Sequence, residues 1–467
     1  MVFASLIFLF LFLPLNLVLY YATNNKTYRN LLLILFSLFF YAWGEPVWII
    51  ILFIAATVDY VNGLAIDRFR GTVWAKVGLI SSLIVNLGLL FTFKYSGFLY
   101  ENINAIFGTH LDIPSFALPI GLSFYTFQTI SYVVDVYKGE VPAQRSYMKF
   151  SLFVSLYPQL VAGPIVRYSH IAYEIDHRTV NVNEIREGIG RFCIGLFKKV
   201  FFANVAGELV KQYLDGDLTS MPVAAAITGI LMFTIQIYFD FSGYSDMAIG
   251  LAKMFGFHYL ENFNYPYISR SATEFWRRWH ISLGSFFRDY IYIPMGGNRK
   301  NQLFNLFVVW FLTGFWHGAS WNFIIWGLYF GFLVGIEKLF LGNLLNKLPK
   351  FVGHVYLLIA TILGWTFFYF TDMSRMKQFF RLVFGLTDNP FWNFELELVL
   401  KNHIFWIFFA VLCCLPVYPA LVGWLKKNFK ETGWFDYVLL TFYALILLLC
   451  TALLVGKSYN PFLYFRF

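Results

Sequence analysis

The chain has 467 residues, of which 59% are hydrophobic and 13% are charged. Soluble proteins carry about 25% charged residues, so this composition excludes a soluble globular protein and predicts an all-α integral membrane protein. The net charge of +9 is attributed to Lys and Arg in cytoplasmic loops, not to nucleic-acid binding. The four cysteines lie in apolar runs without Cys-x-x-Cys or Cys/His spacing, so neither disulfides nor a metal site is predicted.

Apolar stretches that approach the length of a membrane span, about 20 residues, recur along the whole chain. The first, at 3–20, lacks a basic start and a cleavage site, so we interpret it as a retained span and not as a signal peptide. The segment 150–166 is interrupted by Pro158, Gly163 and Pro164, which predicts a re-entrant or tilted piece. The predicted spans, about 11–12 in number, are 3–20, 30–44, 47–66, 77–99, 117–137, 190–213, 223–249, 303–318, 321–340, 352–370, 404–424 and 435–456.

Alternate predicted loops are rich in Lys and Arg, and the loops between them are poor in cations. The positive-inside rule therefore places both termini outside the cytoplasm. One loop on the predicted outer side, 371–403, nevertheless carries Arg375, Lys377 and Arg381. We interpret that loop as an amphipathic surface piece.

No internal repeat and no soluble domain is visible in the sequence. Residues 1–467 are therefore predicted to form one membrane-embedded domain. Its motif-rich core is placed at 110–425, and an aromatic tail at 457–467 is placed on the extracytoplasmic side.

A basic, aromatic stretch at 271–297 has the features of an amphipathic helix. Ser271 and Glu274 have the spacing of a capping box, so the helix is predicted to begin there and to continue to Pro294. One interpretation is an interfacial anchor. The other is a site for an anionic, phosphate-bearing ligand that arrives from the cytoplasm. The cations that would serve that site are Arg277, Arg278 and Arg288. His280 lies on the same predicted helix, where a lone histidine is as a rule a packing residue.

The segment 303–340 is too long for one span and short for two, which predicts a hairpin of short helices turning near Gly318. His317 then lies in apolar surroundings beside Trp316 and Trp321. An ionisable group in such a place is a candidate functional residue, and a neutral imidazole can act as a general base. The alternative is a structural histidine bonded to a backbone carbonyl.

Asp240 and Asp246 lie within the predicted span 223–249. Two carboxylates inside a span are costly. They could orient a histidine, carry a proton or bind a coupling ion. Alternatively, they are polar groups that bond the freed backbone of a helix break.

The C-terminal stretch SYNPFLYFRF at 458–467 contains five aromatic residues. The phenol of Tyr464 or Tyr459 can accept an acyl group, and the neighbouring Phe462, Phe465 and Phe467 favour burial in apolar surroundings. The alternative is a set of aromatic residues at the membrane interface.

Five stretches together resemble the membrane-bound O-acyltransferase (MBOAT) family, and in particular the members that O-acetylate bacterial alginate, peptidoglycan and cellulose. The stretches are VAGPIVRY at 161–168, YFDFSGYSDMAIG at 238–250, FWRRWHISLGSFFRDYIYIPMGGNR at 275–299, FWHGASWNFIIWG at 315–327 and the tail at 458–467. The resemblance implies a multi-span helical bundle with His317 as the essential histidine and His280 as the second one. It also implies that Tyr464, flanked by Phe462 and Phe467, is an acyl carrier.

The function expected from this resemblance is an O-acetyltransferase of the bacterial inner membrane. Acetyl-CoA would be the donor from the cytoplasm, with no metal required, and a periplasmic SGNH-type acetyltransferase would pass the acetyl group to a polysaccharide. Asp240, Asp246, Trp316 and Trp321 would support the site within the bilayer. The alternatives are a transporter with an intramembrane His/Asp proton path, a lipid or protein acyltransferase, and a non-catalytic scaffold.

Overall fold

The computed structural model describes residues 1–429, 434–456 and 462–463. Every regular element within these residues is a helix, which confirms the predicted all-α fold. The helices of the first half are α1 (Leu13–Tyr21), α2 (Lys26–Ala42), α3 (Ile49–Arg68), α4 (Val73–Leu90), α5 (Ser96–Phe107), α6 (Leu122–Lys138), α7 (Tyr147–Ser155), α8 (Tyr157–Leu160), α9 (Tyr168–His177), α10 (Val182–Phe197) and α11 (Asn204–Leu214).

The second half continues with helices of the same kind. They are α12 (Val223–Met254), α13 (Ala272–Trp276), α14 (Ile281–Phe287), α15 (Gln302–His317), α16 (Trp321–Ile336), α17 (Gly342–Lys347), α18 (Lys350–Tyr369), α19 (Met373–Val383), α20 (Phe394–Cys413), α21 (Val417–Phe429) and α22 (Trp434–Leu454). Wider π-helical turns adjoin several of them, at Phe8–Phe12, Phe91–Tyr95, Lys198–Ala203, Arg288–Tyr292 and Glu337–Leu341.

Seven helical stretches in the described part of the chain are long and apolar enough to cross a membrane. They are Ile49–Arg68, Val73–Phe107, Val223–Met254, Trp321–Lys347, Lys350–Tyr369, Phe394–Cys413 and Trp434–Leu454. The higher number predicted from the sequence includes shorter helices, such as α2 and α6 with 17 residues and α15 with 16. The chain is thus a multi-span helical protein that contains both helices of full span length and shorter apolar helices.

The predicted span 404–424 is wrong in its boundaries. Helix α20 begins earlier, at Phe394, because Asn393 caps it by accepting a hydrogen bond from the Leu396 amide at 2.9 Å. It ends at Cys413, shortly before Pro416, which has no amide hydrogen to continue the helix.

Two segments predicted to depart from regular spans contain short helices, and the re-entrant or tilted course predicted for the first of them stays a prediction. The stretch 150–166 forms the short helices α7 and α8, and residues 152–166 are all buried in protein. The loop 371–403 contains helix α19, which buries its apolar face and exposes Lys377 and Arg381. The apolar side chains of that face are Met376, Phe379 and Leu382.

The described residues group into two compact units, each discontinuous in sequence. The first unit contains residues 1–192, 244–261, 454–456 and 462–463. The second contains residues 193–243 together with residues 262–453 as far as they are described. The prediction that the whole chain acts as one membrane-embedded domain stays a prediction.

A buried polar network joins three helices of the first unit. Asp59 of α3 accepts hydrogen bonds from the Asn86 amide of α4 at 2.9 and 2.8 Å, and from the Ser82 hydroxyl. Thr129 of α6 donates in turn to Asn86 Oδ1 at 3.2 Å. Because unsatisfied polar groups are costly in an apolar interior, this network fixes the three helices in register.

Candidate active site

The α15–α16 hairpin of the second unit fixes the position of His317. His317 is the last residue of α15, because Gly318 has an extended backbone with φ −171° and ψ 155°, and α16 begins at Trp321. A Cβ atom on Gly318 would lie 2.3 Å from the ring of Phe323, so a larger residue at the turn would have to displace that ring. The predicted hairpin that turns near Gly318 is confirmed.

Two glycines let the backbones of this hairpin touch. A Cβ atom on Gly314 would lie 2.3 Å from the carbonyl oxygen of Phe323, and one on Gly327 would lie 2.4 Å from that of Trp310. Both distances are far below ordinary van der Waals contact. The spacing of the helices that carry His317 is therefore set by direct backbone packing.

Aromatic rings enclose the His317 side chain, which is only 6% exposed. The rings of Trp316 and Trp326 each lie 4.9 Å from the imidazole, at interplanar angles of 74° and 85°. Phe368 follows at 5.4 Å and 79°. Rings turned edge to face in this way pack closely around the imidazole and keep bulk water away from it.

The indole of Trp316 contacts both candidate histidines. Its ring lies 4.9 Å from that of His317 and 6.2 Å from that of His280, and its side chain is buried. The structure therefore brings together His280, Trp316 and His317. Trp321, by contrast, is 52% exposed at the start of α16.

His280 does not lie within one continuous amphipathic helix, and that prediction is wrong. Helix α13 does begin after the Ser271 cap, as predicted, but it ends at Trp276, and His280 has a left-handed backbone with φ +45°. The helix breaks because backbone groups near His280 form hydrogen bonds with residues 262–264 and not within the helix. The amide of Ile281 donates to the Asn262 carbonyl, and the amide of Asn264 donates to the Arg278 carbonyl, both at 2.9 Å.

The side chain of Asn262 determines which nitrogen of His280 carries a proton. Its Oδ1 accepts a hydrogen bond from the backbone amide of Ser282 at 3.1 Å, which fixes the orientation of the amide group. The same oxygen lies 3.2 Å from Nδ1 of His280. Because an amide oxygen only accepts, Nδ1 must be the protonated nitrogen, and Nε2 of the neutral ring keeps its lone pair.

The surroundings of His280 favour that neutral ring. The residue is 2% exposed and lies outside the seven candidate spans, and burial lowers its pKa to about 3. Its Nε2 is buried and has no hydrogen-bond partner within the described ranges. A neutral imidazole with a bare Nε2 can accept a hydrogen bond or a proton from a reactant. A strained backbone at such a residue is typical of functional sites.

Asn262 and Ser282 are site residues that the sequence does not reveal. Their spacing from His280 follows no helical pattern, and a polar residue in a loop is ordinary. The same is true of Glu337, whose buried carboxylate accepts hydrogen bonds from the amides of Ala272 at 2.6 Å and Thr273 at 2.8 Å. Glu337 thereby anchors the first turn of α13, the helix that leads to His280.

Two of the three arginines predicted to bind phosphate have carboxylate partners. Arg278 lies 3.1 Å from Glu274 Oε1, one helical turn away. Arg288 donates to both oxygens of Asp289, at 2.6 and 3.0 Å. Arg277 is exposed and forms no ion pair with any described residue. The prediction that the three bind a phosphate-bearing ligand stays a prediction, with Arg277 the most available of them.

Asp240 and Asp246 each serve as the counter-ion of a cation. Within the second unit, Asp240 pairs with Lys199, and their side chains are only 3% and 5% exposed. Within the first unit, Asp246 accepts from Arg191 at 2.8 Å. The roles considered for the two aspartates from the sequence did not include ion pairs with Lys199 and Arg191. Both cations lie on helical segments that are distant from the aspartates in the chain.

The tail is described only in part. Tyr464 and Phe467 lie outside the described residues, and so does Tyr459, so the predictions for them stay predictions. Phe462 is 2% exposed, which agrees with the predicted burial. Its ring meets that of Tyr244 edge to face at 4.6 Å, and Tyr244 stacks on Phe3 at 4.8 Å.

Comparison with known proteins is consistent with this site. The family model described as MBOAT, membrane-bound O-acyltransferase family, matches residues 142–376, a range that contains both histidines. The chain is 42% identical over 397 residues to the "Probable alginate O-acetylase AlgI" of Pseudomonas aeruginosa, covering 82% of this chain and 75% of that protein.

Two other relatives align along the whole chain. The "Probable alginate O-acetylase AlgI" of Pseudomonas putida is 38% identical over 497 aligned residues, covering 100% of both chains. The "Peptidoglycan O-acetyltransferase" of Helicobacter pylori is 31% identical over 516 aligned residues, covering 100% of this chain and 98% of that protein. The chain therefore belongs to the membrane-bound O-acyltransferase family and is an acyltransferase.

Proposed function

We propose that this acyltransferase moves acetyl groups from cytoplasmic acetyl-CoA across the bacterial inner membrane for the O-acetylation of an extracellular or cell-wall polysaccharide. The names of the relatives support an acetyl group and a polysaccharide acceptor such as alginate or peptidoglycan. The observation that carries the proposal is the buried site in which His280 and His317 contact the same indole, that of Trp316.

The proposed reaction is transfer of the acetyl group from sulfur to oxygen. The phenol oxygen of Tyr464 attacks the thioester carbonyl of acetyl-CoA, a new C–O bond forms, and the C–S bond breaks. His317 removes the phenol proton and returns it to the departing sulfur, so CoA leaves as a thiol. His280 supports the site through its bare Nε2, and Arg277 contributes charge towards the CoA phosphates.

The acetyl-tyrosine ester is an activated carrier. A phenol is a better leaving group than a sugar hydroxyl, so the ester retains the free energy needed for a second transfer. We propose that a periplasmic SGNH-type acetyltransferase takes the acetyl group from Tyr464 and passes it to the polysaccharide. The cation distribution of the loops supports both termini outside the cytoplasm, which would place the tail on the acceptor side.

The ion pairs weigh against the transporter interpretation. A proton path needs carboxylates that can take up and release protons, whereas Asp240 and Asp246 are both held by cations. Acyl transfer needs no such path.

The experiment that tests the proposal follows the acetyl group directly. Purified protein in lipid nanodiscs is incubated with acetyl-CoA, the released CoA thiol is titrated, and the C-terminal peptide is analysed by mass spectrometry. An acetyl group on Tyr464 is expected in the wild-type chain and in the matched control Tyr459→Phe, but not in Tyr464→Phe or His317→Ala. Palmitoyl-CoA in place of acetyl-CoA tests the lipid acyltransferase alternative.

The possible results separate the parts of the proposal. Tail acetylation that persists in His317→Ala would refute the role of His317. CoA release with acetylation of Tyr459 and not of Tyr464 would refute the choice of carrier. Preferred use of palmitoyl-CoA would refute the acetyl donor.

A further inference from the structure

A cavity of about 420 Å³ opens in the first unit where α3 ends and α4 begins, beside the end of α6. None of the candidate catalytic residues line it. The side chains around it are unusually cationic for a membrane protein of low charge content. The lining residues are Ile66, Arg70, Gly71, Thr72, Val73, Ala75, Lys76, Tyr137 and Lys138.

The cations of this cavity exceed the carboxylates that accompany them. Asp67 lies 3.1 Å from Arg70, but it also binds Arg145 at 2.9 Å. Lys138 lies 3.7 Å from the exposed Glu140. Lys76 is exposed and forms no ion pair within the part of the chain that the structure describes. The cavity therefore has a net positive charge that an anion would neutralise.

The backbone adds further donors to the same place. Helix α4 begins at Val73, inside the cavity lining, and no side chain caps it. The Thr72 hydroxyl donates to the Phe69 carbonyl, and it accepts no hydrogen bond from the first-turn amides of α4. The first-turn amides of α4 are therefore available to an anion, and the helix dipole has the same sign as the nearby cations.

The rim of the cavity has the character of a membrane interface. Trp74 is 67% exposed and Phe69 is 42% exposed, and both adjoin the lining residues in sequence. Tryptophan beside cations at the end of a span is typical of the level of lipid headgroups. This end of α3 and α4 is also the cation-rich side that the sequence predicts to be cytoplasmic.

We propose that this cavity binds the headgroup of an anionic phospholipid. The phosphate lies against Lys76 and the first-turn amides of α4, with Arg70 and Lys138 on either side, and the lipid tails lie along the exposed apolar rim. Soluble phosphate compounds share the phosphate group, but they have no apolar tails to contact the exposed tryptophan and phenylalanine beside the cations. The proposal does not depend on the acetyl transfer proposed above.

The test measures lipid binding to the full chain. Protein purified in a neutral detergent is titrated with short-chain phosphatidylglycerol or phosphatidylcholine, and bound lipid is counted by native mass spectrometry. Phosphatidylglycerol is expected to bind in preference, and Lys76→Gln is expected to weaken it about fivefold. The matched control is Arg68→Gln, which removes an exposed cation of the same region that does not line the cavity.

Each result decides the proposal. A selective loss in Lys76→Gln and Lys138→Gln, with Arg68→Gln unchanged, supports it. An equal loss in all three variants would show general surface attraction and overturn it. Displacement of the bound anion by inorganic phosphate or CoA, without any preference for phosphatidylglycerol, would assign the cavity to a soluble ligand and overturn the lipid assignment. Unchanged melting of the variants in neutral detergent excludes misfolding as the cause.

Discussion

The crossing of α15 and α16 offers a direct test of how strictly the site depends on backbone packing. In Gly327→Ala the new Cβ atom would lie 2.4 Å from the Trp310 carbonyl oxygen and 2.9 Å from the Gly314 Cα, where ordinary contact begins at 3.4 Å. The helices must therefore part by about 1 Å, because neither obstacle is a flexible side chain.

That displacement has two expected consequences. Overpacking of this kind lowers the free energy of unfolding by about 1–3 kcal/mol. A shift of about 1 Å at a catalytic group can lower the rate about 100-fold, and His317 follows Gly314 by one turn on the moving helix. Melting is followed by intrinsic fluorescence, and the rate by CoA release from acetyl-CoA.

The control is Gly88→Ala in α4, where a Cβ atom would meet nothing within 4 Å. This variant is expected to retain both stability and rate. A Gly327→Ala enzyme that melts and turns over like Gly88→Ala would refute the argument that backbone contact positions His317. A destabilised enzyme with full activity would leave the packing argument standing but refute its link to the site.

The other predictions concern the buried charges and His280. Lys199→Met removes the cation that pairs with the buried Asp240 carboxylate and is expected to cost about 3–5 kcal/mol of unfolding free energy. The added change Asp240→Leu should restore most of that loss, and equal melting of the single and double variants would contradict the ion-pair role. Asn262→Ala removes the acceptor that sets the His280 tautomer and is expected to lower kcat on the order of 100-fold with little change in KM, more than Ser282→Ala does. If Asn262→Ala is as fast as wild type, the tautomer argument fails. Burial lowers the pKa of His280 to about 3 in the folded protein. Between that pH and about 6.5, His280 takes up a proton in the unfolded chain but not in the folded one. The free energy of unfolding should therefore decline by up to about 1.4 kcal/mol for each pH unit towards acid. His280→Gln should lose that part of the slope, and an unchanged slope in the melting data would disprove it.

The features that depend on residues near one another in the chain could be predicted from the sequence. The hairpin around His317 follows from the length of its apolar segment and from Gly318, and the Ser271 cap follows from a local spacing. The loop that contains α19 could be interpreted as an amphipathic surface piece because it carries cations on the predicted outer side. In each case the physical cause lies within a few turns of the residue concerned.

The features that depend on distant residues could not be predicted in this way. The helix predicted through His280 is broken by backbone hydrogen bonds with Asn262, which accepts, and Asn264, which donates; both precede His280 by more than a dozen positions. Asp240 pairs with Lys199, 41 positions away. Propensity and periodicity contain no information about such pairs, because tertiary bonds outweigh the small local preferences.

The Asp59 network has a consequence for how the protein is made. When α3 leaves the ribosome, its carboxylate has none of the partners that later hold it, since Ser82 and Asn86 are synthesised afterwards. Insertion of an isolated helix into lipid is energetically costly when an unpaired aspartate lies at its centre. We therefore expect α3 to remain at the insertion machinery until α4 arrives, so that the two enter the bilayer as a preassembled pair. Thr129 of α6 then completes the set, which makes the order of synthesis also the order of assembly.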